Sequence, residues 1–237
     1  MRIMNKKLAV LICTALMSTV AIAEDGIESS VELGLIQTTG NTETQSINAK
    51  ANVMMTKGKW GTSASLEALN VSGDEGRLSE KYIGTGQVAY LATDRSYGFL
   101  MAKGEHDPFS GYSYQVTSAL GYGYRAIKKD DMVLDLEAGP GFRQLKVRDT
   151  GDKEDEALLH LRAYFALDLS KTSKLTEDLV IDAGEDSTII RSVTAVTAQI
   201  VGNLAMKASF TLKNTSDVPP GVEDTDTETS LALVYSF

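Results

Sequence analysis

The strongest constraint on the fold is an alternation of apolar and small or polar residues that continues over unusually long segments. Over residues 112–125 the larger apolar positions share one face, and they are Tyr112, Tyr114, Val116, Leu120, Tyr122 and Tyr124. Side chains alternate between the two faces of a β-strand, so this pattern indicates a strand with one apolar face. Globular strands usually have about 5–6 residues, whereas a tilted strand needs about 9–11 to cross a bilayer. The tyrosines stand at both ends of the apolar face, which is typical of a strand whose ends meet the two membrane–water interfaces.

The same alternation recurs along the rest of the chain. It predicts twelve strands, at residues 27–39, 42–56, 60–72, 80–92, 95–105, 112–126, 131–147, 156–169, 173–184, 187–200, 203–213 and 226–237. Short turn clusters such as Gly202-Asn203 separate several of them, and such turns join antiparallel neighbours. The sequence therefore predicts an all-β fold, a transmembrane antiparallel β-barrel of about 12 strands.

The connections between the predicted strands differ in length and charge. The longest acidic connections, at residues 73–79, 105–111, 148–155 and 214–225, all follow odd-numbered strands, and the connections after even-numbered strands are short. Short periplasmic turns and longer outer loops are typical of outer-membrane barrels. We therefore expect the first strand to start in the periplasm and the acidic loops to surround the outer mouth, where they would attract cations.

The N-terminal segment has the three parts of a secretory signal. Three basic residues lie within the first seven positions, an apolar run covers residues 8–20, and the small residues Ala21 and Ala23 precede Glu24. The apolar run is shorter than the roughly 20 residues of a membrane-spanning helix. We therefore expect a cleaved signal peptide at residues 1–23 and one barrel domain at 24–237. Cys13 lies in the signal, so the mature chain would hold no cysteine and no disulfide.

Charge and residue types narrow the classes of function. The chain of 237 residues has a formal net charge of −9, which argues against a nucleic-acid partner because phosphate binding requires a basic surface. The two histidines, His106 and His160, are far apart, and the acidic segment 149–156 lacks the ligand spacing of an EF-hand calcium loop. His160 shares a polar strand face with Arg162 and Asp168, and the apolar face shows no cluster of Ser, His and carboxylate residues. The sequence therefore predicts no catalytic residue, no cofactor and no metal.

The polar faces of the predicted strands supply the lining of the barrel lumen. The predicted lining residues are Glu32, Lys50, Glu67, Lys81, Arg125, Asp135, Glu137, Arg143, His160, Arg162, Asp168, Asp178, Asp182, Arg191, Lys207 and Lys213. Acidic and basic residues nearly balance in this set. A lumen of twelve strands is narrow enough for such long side chains to fill much of it. We therefore favour a narrow or closed lumen cross-linked by ion pairs over an open polar pore.

The last strand ends on its apolar face. Tyr235 and Phe237 share that face, and Phe237 is the C-terminal residue. A terminal aromatic residue of this kind is predicted to act as an assembly signal that the outer-membrane assembly machinery recognises. The expected partners are therefore that machinery and the lipid and lipopolysaccharide of the outer membrane, while the oligomeric state stays open.

Several short motifs occur together in the order and spacing of a known family. They are Gly40-Asn41-Thr42, Ser79-Glu80-Lys81-Tyr82, Gly139-Pro140-Gly141, Gly184-Glu185-Asp186 and Pro219-Pro220. On these motifs the chain resembles the salt-induced outer-membrane proteins of the YdiY-like family over nearly all of its mature length. The resemblance implies an outer-membrane location and supplies no established activity or catalytic residue.

Residue pattern and resemblance together predict a non-enzymatic outer-membrane barrel, either a structural protein of the envelope or a narrow channel for small solutes or ions. Two alternatives stay open. One is an outer-membrane enzyme that acts on lipid or peptide and uses His160 or the acidic loops. The other is a soluble secreted β-sandwich that binds a partner.

Overall fold

The structure, a computed structural model, describes residues 26–39, 44–73, 76–107, 111–148, 150–218 and 221–237. Over these residues the chain forms twelve β-strands: β1 Ile27–Thr39, β2 Thr44–Lys57, β3 Trp60–Gly73, β4 Gly76–Leu91, β5 Ser96–His106, β6 Tyr112–Lys128, β7 Met132–Val147, β8 Lys153–Ser170, β9 Ser173–Gly184, β10 Thr188–Val201, β11 Leu204–Thr215 and β12 Thr225–Ser236. The predicted signal peptide with its Ala21, Ala23 and Glu24, and the motifs Gly40-Asn41 and Pro219-Pro220, lie outside the described residues.

The twelve strands form one closed antiparallel barrel. Each strand pairs with its neighbours in sequence, and β12 returns to pair with β1 through partners such as Leu33 and Leu233. Closure leaves no sheet edge with unpaired backbone groups, which is the condition for a β-structure inside a bilayer. The prediction of an all-β antiparallel barrel of about twelve strands is thus confirmed. In the part of the chain that the structure describes, no helix is long and apolar enough to span a membrane.

The two faces of the strands differ as the alternation predicts. On β6, Leu120 is 60% exposed and points outward, whereas its neighbour Ala119 is 3% exposed and points into the barrel. Large exposed residues such as Leu66, Leu233 and Phe210 continue the outward apolar surface on other strands. The barrel wall therefore has its large apolar side chains outside and its polar and small side chains inside.

The two ends of the barrel are different. Both termini of the described chain lie at one end, where the backbone N–H of Phe237 donates to the carbonyl of Ser29 at 2.9 Å. We call this the terminal end; its connections are the tight turns at 58–59, 92–95, 129–131, 171–172 and 202–203. The opposite end, called the loop end, carries the connection at 216–224, which is the longest among the described segments.

The expected long acidic connections are shorter than the sequence suggested. Strand β4 begins at Gly76, so most of the predicted loop at 73–79 is strand, and β8 begins at Lys153, so the predicted loop at 148–155 ends early. Strand β5 likewise continues through Glu105 to His106. The reason is physical: strands that project beyond the apolar band continue with polar residues on both faces, and an apolar alternation cannot detect that extension.

An apolar cluster fills part of the interior beside the polar side chains. It consists of Tyr97, Phe99, Met101 and Ala119 on the inner faces of β5 and β6. Tyr97 lies against Gly123, where an added Cβ would come within 2.2 Å of the tyrosine ring. Only glycine leaves room there for Tyr97 to pass over β6 and reach Glu137 on β7. The interior is therefore partly a packed core, which the sequence analysis did not anticipate.

Candidate functional site in the barrel lumen

An ion pair crosses the lumen between opposite walls. Strands β5 and β11 lie half a turn apart in the ring of twelve strands. Lys213 Nζ on β11 lies 2.8 Å from Glu105 Oε1 on β5, and Lys103 Nζ on β5 lies 2.9 Å from Glu105 Oε2. Glu105 is only 7% exposed. These three residues, called the cross-lumen bridge, form a bar of side chains across the barrel near its loop end.

The cross-lumen bridge belongs to a larger group of charges. Lys50 Nζ lies 3.7 Å from Glu67 Oε2 on the neighbouring strand. Glu67 also experiences the charges of Lys81, Lys103 and Arg191, and Lys81 those of Glu105 and Glu228. The group, called the loop-end charge cluster, comprises Lys50, Glu67, Lys81, Lys103, Glu105, Arg191, Lys213 and Glu228. Five cations in this group interact with three carboxylates, and Asp107, which acts on Lys81 more strongly than Glu228 does, is a fourth.

A second network joins β7, β8 and the connection before β10. Arg143 Nε donates to Glu156 Oε1 at 2.6 Å, and Arg143 Nη2 donates to the carbonyl oxygen of Ser187 at 2.5 Å. Backbone N–H groups of Asp186 and Ser187 donate to Glu156 Oε2. Arg143 is completely buried, yet its Nη1 has no hydrogen-bond partner among the described residues. The network fixes the β9–β10 connection to the inner wall.

His160 is paired with a carboxylate on the neighbouring strand, a contact that the sequence analysis did not predict. The register of β8 and β9 places Asp182 opposite His160, and His160 Nδ1 lies 2.6 Å from Asp182 Oδ1. The ring is 1% exposed and packs edge-on against Phe99. Asp168 lies further along β8, exposed at the terminal end, and pairs with Lys174 at 3.4 Å. Within the described chain no hydroxyl hydrogen-bonds to the His160 ring, so the pair lacks the nucleophile of a hydrolytic triad.

A third network fills the lumen nearer the terminal end. Arg162 donates to both carboxylate oxygens of Asp178, at 2.7 and 3.1 Å, and its Nη1 lies 3.6 Å from Glu137 Oε2. Glu137 Oε1 accepts from Gln87 Nε2 at 2.8 Å and from Tyr97 Oη at 2.9 Å. Gln87 lies on β4 and Glu137 on β7, so this contact also bridges separated strands.

The remaining predicted lining residues form two local pairs. Lys207 Nζ lies 3.0 Å from Glu32 Oε2, and Arg125 Nε lies 4.0 Å from Asp135 Oδ2. Both pairs join strands that are adjacent or next but one in the ring. The structure thus brings the predicted lining residues together in several ion-pair networks, with Asp168 apart from them.

The sequence analysis missed several side chains of these networks. Glu105 and Glu156 are the outermost residues of the predicted strands 95–105 and 156–169, and the predicted lining omits both, although the alternation places Glu105 on the face of Lys103 and Glu156 on that of His160. Both side chains are buried in the barrel. The predicted lining also omits Glu228, which lies on the same strand face as Ser230. Gln87 and Tyr97 carry no charge and gave no signal of a polar network.

One carboxylate lies on the outward face, where the sequence analysis found no such cluster. Glu177 pairs in register with Thr194, and it must point outward because the adjacent Asp178 binds Arg162 inside the lumen. Glu177 Oε1 accepts from Ser192 Oγ at 2.6 Å, and Glu177 Oε2 accepts from Thr194 Oγ1. The sequence analysis did not anticipate this contact between hydroxyl groups and a carboxylate on the outward face. The cluster contains no histidine, so it lacks the base that would activate Ser192.

A small cavity opens at the loop end beside the cross-lumen bridge. Its wall includes Lys213, Gln115, Tyr112 and Ser187 as polar groups. Apolar side chains form the rest of the inner surface, and they are Leu145, Ile189, Val218 and Val222. Thr215, Glu223 and Asp226 complete the lining. Across the described residues, no group of three or more His, Cys, Asp or Glu side chains is placed to hold a metal ion.

Solved structures with a similar barrel fold include outer-membrane porins and channels. The NanC porin superposes with a TM-score of 0.59 at 7% sequence identity, and the match covers 86% of this chain and 98% of that porin. The COG4313 outer-membrane channel from Pseudomonas putida F1 superposes with a TM-score of 0.55 at 10% identity, covering 93% of this chain and 98% of the channel. At identities this low, the superpositions show that the barrel fold is shared and nothing more specific.

A sequence relative covers nearly the same span. The uncharacterized protein YdiY of Escherichia coli K12 is 29% identical over 220 residues, which are 92% of this chain and 86% of that protein. The YdiY-like resemblance is therefore confirmed. A family model described as "Protein of unknown function, DUF481" matches residues 31–237. From β1 to the C-terminal phenylalanine, the chain belongs to this DUF481 family.

Proposed function

We propose that this protein is a non-enzymatic barrel of the outer membrane whose lumen forms a narrow channel of low conductance for small solutes. The observation that carries the proposal is the cross-lumen bridge, in which Lys213 and Glu105 meet at 2.8 Å from opposite walls. A backbone plug would close the barrel permanently. Lys213 and Glu105 meet only through their charges, so this bridge can open without any change of the fold, and the other interior side chains keep the path narrow.

The outward surface supports the location. The apolar outer wall and the absence of a sheet edge in the closed ring suit a bilayer, and the porin and channel neighbours reside in outer membranes. In the proposed orientation the tight turns of the terminal end face the periplasm and the loop end faces outward. The partners in this proposal are outer-membrane lipid, lipopolysaccharide and the assembly machinery. Synthesis that rises with external salt is also part of the proposal, and protein levels at low and high NaCl test it.

The internal networks favour a channel with a filled lumen over an enzyme. His160 is held between Asp182 and Phe99, and this arrangement explains its burial without a catalytic role. We therefore expect His160→Gln to change the stability of the barrel and to leave hydrolysis of lipid and peptide substrates at the background rate.

Single-channel recording in planar bilayers tests the channel. Purified wild-type protein should give small, infrequent openings in KCl, and Lys213→Met should raise the conductance several-fold because it removes one half of the cross-lumen bridge. Lys207→Met is the matched control, since Lys207 pairs with Glu32 on one side of the wall and does not cross the lumen. A large, steady pore in the wild type would contradict the filled lumen. Silence of both the wild type and Lys213→Met would favour a structural barrel.

A further inference from the structure

Two lysines lie directly opposite each other on the outer wall of the barrel at its loop end. Lys146 on β7 pairs in register with Lys153 on β8, and we call them the lysine pair. Arg143 and Leu145 are buried inside the barrel, so the alternation along β7 places Lys146, and with it Lys153, on the outward face. Cβ atoms at such opposed positions lie about 5 Å apart, and like charges there destabilise the sheet. An anion between the two ammonium groups would remove this repulsion.

The carboxylates of the same two strands do not neutralise the lysine pair. Among the described residues, no ion pair joins either lysine to a carboxylate. Asp155 shares the outward face of β8, but its Oδ1 accepts a hydrogen bond from Gln144 Nε2 at 2.8 Å. Glu154 lies on the other face of β8, where its charge acts on Tyr112 beside the loop-end cavity. The lysine pair therefore has positive charge to offer to a ligand.

The outer wall changes from polar to apolar just below the lysine pair, towards the middle of the barrel. Phe142 lies on the outward face of β7 four residues from Lys146, and Leu159 lies on the outward face of β8; both are exposed. Four residues of a tilted strand span about 10 Å of depth. Tyr114 pairs with Lys146 from β6, and tyrosine is typical of a membrane–water interface. The cations therefore lie where lipid headgroups meet the barrel, above an apolar surface for acyl chains.

We propose that the lysine pair binds a phosphate group of the lipid A part of lipopolysaccharide, with the acyl chains against Phe142 and Leu159. The proposal deepens the proposed function and rests on its orientation, in which the loop end faces the outer leaflet. A lysine ammonium is a compact cation with three donors, so two opposed lysines can donate to different oxygens of one phosphate. A soluble anion would gain these contacts alone, whereas lipid A also covers the apolar surface below them.

Native mass spectrometry of the full-length mature protein, folded in detergent and titrated with lipid A, tests the site. EDTA is present throughout, so that no divalent cation bridges lipid A to acidic side chains. The double variant Lys146→Gln, Lys153→Gln should weaken lipid A binding at least tenfold. The matched control is Lys128→Gln, Lys129→Gln, which removes the same charge at the terminal end and should leave binding within twofold. Lipid A stripped of its phosphates should bind the wild type as weakly as intact lipid A binds the first variant, and excess inorganic phosphate should not displace intact lipid A.

Each alternative gives a different result in this experiment. Equal binding by the wild type and the Lys146→Gln, Lys153→Gln variant would overturn the site, and equal losses in both double variants would reduce it to an effect of net charge. Displacement by inorganic phosphate would indicate a site for small anions instead of a lipid. Heat-modifiable migration on gels establishes that each variant is folded. Lipid A binding without any conductance would count against the channel and leave the lipid site intact, and conductance without lipid A binding would do the reverse.

Discussion

Arg143 and Glu156 lie directly opposite each other on β7 and β8, and their side chains form an ion pair that is almost entirely removed from solvent. Gly184 lies close beside them, and a Cβ at that position would approach Glu156 Oε2 to 1.9 Å. The pair therefore depends on a glycine of the neighbouring strand for its space. It also depends on Ser187 and the backbone of Asp186 for the hydrogen bonds that balance its charges.

Removal of one member of this pair should destabilise the barrel strongly. Arg143→Met leaves Glu156 buried and without its cation, and such a loss costs about 3–5 kcal/mol. The free energy of unfolding, measured by urea titration in lipid vesicles, should fall by that amount. The control is Lys174→Met, which removes the exposed pair with Asp168 and should cost only about 0–1 kcal/mol. Equal losses for the two variants would show that Arg143 is not held as the structure describes.

Two neighbouring residues on β11 should lose unequal amounts of stability on substitution by arginine. Ala208 is exposed on the outward face, whereas Ser209 points into the lumen between Ala195 and Ser230. Ala208→Arg places a charge among acyl chains at a cost of about 2–4 kcal/mol near the bilayer midplane. Ser209→Arg should cost clearly less, because its small neighbours leave room and the lumen is polar. Urea titrations of both variants in vesicles measure the difference, and a larger loss for Ser209→Arg would contradict the register of β11.

The architecture follows from the sequence because one physical constraint repeats on every strand. The bilayer demands an apolar residue at every second position, and segments such as Ala157 to Leu169 record that demand directly. Strand number and facing could therefore be predicted. Strand ends were less accurate where strands extend past the apolar band, as β4 and β8 do, since no lipid selects the residues there.

The lumen could be predicted in composition but not in pairing. Which acid meets which base depends on the stagger between distant strands, and nothing local relates Glu105 to Lys213 across 108 positions. The partner of His160 likewise follows from the β8–β9 register, which places Asp182 opposite it. The hydrogen bonds of Glu177 could not be predicted because its hydroxyl partners lie on another strand.

Removal of the Glu177 carboxylate should cost the barrel less stability than removal of the two hydroxyl groups that donate to it. Glu177→Leu replaces a polar group in the apolar band with an apolar one and should leave stability unchanged or raise it. The double variant Ser192→Ala, Thr194→Val leaves the carboxylate without its two hydroxyl donors, and it should be destabilised by about 1–3 kcal/mol. Unfolding of both variants in vesicles provides the comparison. A large loss for Glu177→Leu would instead indicate that the carboxylate has a partner in the membrane.

Processing of the N-terminus should yield a chain that starts at Glu24. The basic residues, the apolar run and the small residues Ala21 and Ala23 carry this expectation. N-terminal sequencing of protein extracted from outer membranes measures it. Ala23→Tyr is the matched test of the cleavage site, because a bulky residue there should cause the uncleaved chain to accumulate. Recovery of an intact Met1 end in the outer membrane would contradict the signal peptide.

The C-terminal aromatic residue should affect assembly more than stability. Phe237 is 63% exposed on the outward face and contacts the ring of Tyr235 at 4.9 Å between centroids. It buries little surface, so Phe237→Ser should change the unfolding free energy of refolded protein only slightly. If the assembly machinery recognises Phe237 on the unpaired last strand, the same variant should lower the amount of folded barrel in the outer membrane while signal cleavage continues.

Phe210→Ser provides the control for this last experiment, because it removes an exposed aromatic residue from the outward face of β11, away from the C-terminus. It should reduce stability in vitro at least as much as Phe237→Ser does, and it should reduce assembly less. Heat-modifiable, protease-resistant protein in membrane fractions measures assembly, and the ratio of cleaved to uncleaved chain measures export. Normal assembly of Phe237→Ser, or an equal defect in both variants, would show that Phe237 carries no specific assembly signal.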